Sequence, residues 1–81
     1  MSFERQKSER QLIVLETEVV PIDLAIAGYR DSLRDLLDPL LPTNQLQAKV
    51  IVDLGIKLAA KQIDLKAKLA DIGKLKEFLG R

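Results

Sequence analysis

The apolar residues Leu12, Leu15, Val19, Ile22, Ile26, Tyr29, Leu33, Leu36 and Leu40 succeed one another at alternating intervals of three and four, straight across a proline. Such an alternation is the seam of a helix that packs along its length against another helix. Pro21 falls between Val20 and Ile22, off the seam, which puts its ring on an outer face. A proline inside a helix gives no hydrogen bond to the carbonyl four residues back, here that of Thr17, and crowds it, at a cost of roughly 3 kcal/mol in a straight helix. Bending away from the ring relieves part of this. The unbroken phase predicts one long first helix, about residues 4–41, kinked at Pro21. Two helices divided near Pro21 are the second reading. A β-strand over "LIVLETEVV" is the third, favoured by its β-branched residues and by the aversion of the residue before proline to the helical region. Nothing else in the chain reads as a strand to pair with it, and an isolated strand leaves its backbone groups unbonded.

The second half opens on its own start signal. Pro42 stops the first helix, residues 42–44 form the turn, and Asn44 with Gln47 three positions later spells a capping box. A second helix is expected over about residues 45–79, with Gly80 as its C-terminal cap. Its seam runs through Ile51, Leu54, Leu58, Leu65, Ile72, Leu75 and Leu79, with Lys61 and Lys68 in the two remaining positions. A connection this short makes the two helices antiparallel neighbours. Leu36 then lies beside Ile51, Leu33 beside Leu54, Tyr29 beside Leu58 and Ile22 beside Leu65, while Lys61 and Lys68 lay their stems over Ile26 and Val19. Charge agrees with this pairing: residues 16–41 hold six acids and two arginines, residues 46–81 eight bases and four acids. The expected fold is all-α, a single helical-hairpin domain over residues 1–81.

One hairpin cannot bury all the apolar surface. Opposite its seam the second helix carries Val52, Ile56, Ala59, Ala60, Ile63, Ala67, Ala70 and Phe78, and the first helix has Ile13, Val20, Leu24, Ala27, Leu37 and Leu41 off its seam. Exposed apolar surface on this scale marks an interface. Small residues also gather at one height, where Ala25, Ala27, Gly28 and Ser32 on the first helix lie level with Gly55, Ala59 and Ala60 on the second, and a close helix-helix contact is expected there between subunits. The sequence therefore predicts a homo-oligomer, a dimeric four-helix bundle or larger assembly, with Gly28, Val52, Gly55, Ile56, Ala59, Ala60, Ile63, Ala67 and Ala70 at the oligomer interface.

Other function classes have weaker support. The chain has no cysteine and no histidine, which removes disulfides, thiolate metal sites, cysteine nucleophiles and the usual neutral-pH acid-base group. Asp31 and Asp38 have Arg34 three and four positions away and Asp35 follows it directly, so the three aspartates read as a charge-balanced face rather than a metal site. No enzyme activity, cofactor or metal is expected. Lys57, Lys61 and Lys68 line one side of the second helix and could follow a phosphate backbone, although Asp53 and Asp64 interrupt them and the net charge is only +1. A small nucleic-acid-binding regulator is thus one alternative, and a small chaperone holding a partner helix is another. Membrane binding is not expected, and neither a signal peptide nor a spanning segment is legible. The expected location is the cytoplasm, or outside the cell or in a virion without a cleaved signal.

The plan resembles that of short hairpins that dimerise into four-helix bundles, the plasmid RNA-binding regulators among them. "PLLP", Pro39 to Pro42, is similar to the Pro-x-x-Pro turn of type III secretion needle subunits. No site residue is carried over from either family.

Overall fold

A computed structural model describes residues 2–38, 40, 42 and 44–81 of the chain. It contains two helices, α1 from Phe3 to Leu36 and α2 from Gln45 to Leu79, packed against each other as an antiparallel hairpin. The rod measures 62 × 16 × 15 Å.

α1 begins where Ser2, in extended conformation, accepts a hydrogen bond through its hydroxyl from the Arg5 amide. The helix then runs through Pro21 without interruption. Pro21 is exposed, as is Thr17, whose carbonyl loses its usual donor. That carbonyl therefore faces the solvent side of the helix, where the loss costs least. Thr17 itself donates from Oγ1 to the Ile13 carbonyl at 2.8 Å.

α1 ends at Leu36, short of the end expected near residue 41. Proline at position 39 disfavours the helical region at Asp38. The chain leaves the helix just before it, with Leu37 as the cap. Asp38 accepts a hydrogen bond through its carboxylate from the Leu40 amide at 2.9 Å, the local bond by which aspartate competes with helix continuation. Leu40, expected as the last seam residue, is consequently 90% exposed. Pro39, Leu41 and Thr43 lie outside the described residues, and with them two of the four residues of "PLLP".

α2 has the predicted caps. Asn44 Oδ1 accepts from the Gln47 amide at 2.9 Å, and Gln47 Oε1 accepts from the Asn44 amide at 3.1 Å. Gly80 closes the other end with φ 76°, the left-handed region in which glycine avoids the penalty of a side chain.

The seam is buried as the spacing predicts. In α1, Leu12, Ile22 and Ile26 are buried and Leu15, Val19, Tyr29, Leu33 and Leu36 half-buried; in α2, Ile72 and Leu79 are buried and the remaining seam positions half-buried, Lys61 and Lys68 included. The deepest packing is at the end away from the turn, where Leu12, Ile72 and Leu79 cluster with Leu15, Val19 and Leu75 against them. Arg5 crosses between the helices there, donating to the Leu79 carbonyl at 3.2 Å. Lys68 meets Glu18 at 3.0 Å, beside Val19 as the register requires, and Arg81 meets Glu9 at 3.3 Å.

Candidate protein-interaction face

Helical geometry, about 100° per residue, sets Val52, Ile56, Ala59, Ile63, Ala67 and Ala70 on a stripe roughly opposite the seam of α2. All six are exposed, as is Ala60 on the border of the stripe. Val52, Ile56 and Ile63 expose 62%, 65% and 71% of their surfaces. From Val52 to Ala70 the stripe is about 27 Å long. No charged side chain interrupts it; Asp53, Asp64 and Asp71 border one side and Lys66 the other. At its first end Ala48, Lys49, Val52, Asp53 and Ile56 line a shallow depression.

The outer face of α1 is less continuous. Ile13, Val20 and Leu24 are exposed, but Thr17 breaks the row, and beyond Gly28 it gives way to Asp31 and Asp35. Leu41, expected on this surplus set, lies outside the described residues.

The glycines do not form one zone within the hairpin. Gly28 is exposed on the outer side of α1 and Gly55 is half-buried at the edge of the seam of α2. A methyl group added at either would meet no neighbouring atom within 4 Å. The close helix approach expected there is not made inside one chain. Since the outer faces of α1 and α2 point in opposite directions, Gly28 is also remote from the stripe on α2. Gly28→Ala is therefore expected to stabilise the helix by about 0.5–1 kcal/mol. Thermal unfolding checks this, and a lower midpoint would show that a second backbone packs on Gly28.

The three lysines of the nucleic-acid alternative are engaged within the chain. Lys57 bridges Asp53 at 3.0 Å, Lys68 bridges Glu18, and Lys61 is half-buried on the seam. The hydrogen bond to Asp53 raises the pKa of Lys57 above its ordinary value of 10.5, and the bond to Glu18 does the same for Lys68. A raised lysine pKa means that the folded state holds the proton more tightly than the unfolded chain. Its contribution is complete below 10.5 and disappears as pH rises past the folded value. Unfolding curves are thus expected to show a loss of stability above pH 10.5 that Lys68→Met reduces. Equal alkaline loss in both proteins would contradict the bridge.

Sequence reasoning left two partners unnamed. Glu18 and Glu9 are the acids that tie the two helices together, and both lie beside the seam, where an antiparallel register brings them against the basic second helix. Among the described residues no helix is long and apolar enough to cross a membrane. Comparison with protein-family models, with curated proteins and with solved structures finds no match to this chain.

Proposed function

We propose that the chain is a non-enzymatic structural subunit or adaptor that works by self-association through the outer face of α2. The observation that carries this reading is the uncharged apolar stripe from Val52 to Ala70, left open on the side away from the hairpin seam. Surface area supports it. The chain exposes 6269 Å², whereas a compact monomer of 9.1 kDa exposes about 4,900 Å². The excess of about 1,400 Å² exceeds the roughly 800 Å² that one partner contributes to an ordinary stable interface.

A dimer joined at this face has four helices. Because the face lies opposite the seam, they form a row with the two α2 helices in the middle, rather than the square of a closed four-helix bundle. The acidic and hydrogen-bonded partners of Lys57 and Lys68 weigh against a phosphate-binding role for those side chains. Two differently tagged copies of the chain, co-expressed and purified through one tag, test the proposal. Recovery of both is the expected result, and recovery of the captured copy alone would contradict it.

A further inference from the structure

We infer that the stripe of α2 docks on the same stripe of a second copy in antiparallel orientation, about a two-fold axis level with Lys61. This rests on the self-association proposed above and specifies its geometry. Side-chain size is the first observation. Along the stripe the bulky residues Val52 and Ile56 come early, Ala67 and Ala70 come late, and Ala59 and Ile63 straddle the middle. Turning one helix end for end about Lys61 sets Val52 against Ala70, Ile56 against Ala67 and Ile63 against Ala59. Each large side chain meets a small one, and by symmetry each contact occurs twice. Alternation of large and small across facing positions lets two helix surfaces interdigitate without voids. Parallel pairing would instead put Ile56 on Ile56 and Ala67 on Ala67 at the same heights.

Charge complementarity is the second observation. In an antiparallel two-fold pair each border of the stripe faces the same border of its partner. At the register set by the apolar contacts, Asp64 comes level with Lys57 of the second copy, while Asp71 falls midway between Lys49 and Asp53. Lys66, on the opposite border, comes level with Gly55, where its stem meets no side chain. The depression lined by Ala48, Lys49, Val52, Asp53 and Ile56 is the place that receives Ala70 and Asp71 of the partner. The half-exposed Gly55, unexplained by packing inside the hairpin, thereby borders the interface.

The chain has no cysteine, so single introduced cysteines report the register without background. Ala60→Cys, Val52→Cys and Ala70→Cys all replace exposed residues. A disulfide requires Cα atoms within about 7 Å. Near the axis, Ala60→Cys is expected to crosslink to itself on mild oxidation. Copies of Val52 lie about 27 Å apart in the antiparallel pair, so Val52→Cys and Ala70→Cys should each remain uncrosslinked alone and form a mixed disulfide when combined. Self-crosslinking of Val52→Cys and of Ala70→Cys would establish a parallel pair and overturn the inference. A dimeric mass by sedimentation with none of these crosslinks would overturn the register while leaving self-association intact, and a monomeric mass would overturn both.

Discussion

Replacing Ile63 with arginine is expected to dissociate the proposed assembly into single chains without unfolding the hairpin. In one chain Ile63 is 71% exposed, so the guanidinium would stand in water, and arginine favours helix at least as well as isoleucine. In the proposed assembly the same position would be covered by the second copy. An unpaired charge there costs several kcal/mol, and a two-fold interface contains the substitution twice. With every 1.4 kcal/mol worth a factor of ten, association should weaken by about a thousandfold or more. Sedimentation reads the mass and far-ultraviolet circular dichroism the helix content. An unchanged mass would show that the outer face of α2 is not where the chains meet.

Leu12→Ala is expected to have the largest effect on the hairpin itself. Leu12 is 3% exposed and anchors the cluster with Ile72 and Leu79. Truncating a buried leucine costs about 2–5 kcal/mol, the lost transfer energy plus the cavity left behind. A domain of this size has only about 5–10 kcal/mol in all, so the melting temperature should fall by about 10–40 °C. Leu40→Ala provides the contrast. That leucine shares the seam spacing but is 90% exposed, and its replacement should leave the midpoint within about 2 °C. Equal losses at the two positions would mean that burial follows the sequence spacing past the end of α1.

The different fates of Leu12 and Leu40 show where the sequence was legible. Seam spacing identified which residues turn inward on both helices, even at Lys61 and Lys68, because a 3.5-residue repeat has only one face to bury. The capping box at Asn44 and the glycine cap at position 80 were equally plain, each being a local bond pattern with a specific residue requirement. Reading Pro42 as the stop predicts a longer α1 than the one that ends at Leu36. Pro39 comes first, and its restriction on Asp38 is a signal that the sequence carried. Ser2 was similarly available as an N-cap, one position ahead of the first helical residue. The long-range partners Glu9 and Glu18 were harder to foresee. They depend on how far lysine and arginine side chains reach across a formed seam.

The candidate face was legible by elimination, since Val52, Ile56 and Ile63 could not share the seam with Leu54 and Leu58. Grouping Gly28 with Gly55 by height along the rod was less successful. Height alone ignores rotation about each helix axis, and rotation puts the two glycines on different sides. The same consideration separates the stripe on α2 from the shorter apolar row on α1.

Sedimentation equilibrium of the unaltered chain across a concentration series from submicromolar to submillimolar tests the central claim most directly. Self-association predicts an average mass that rises with concentration from 9.1 kDa towards twice that value or beyond. A mass fixed at that of one chain throughout the series would contradict it.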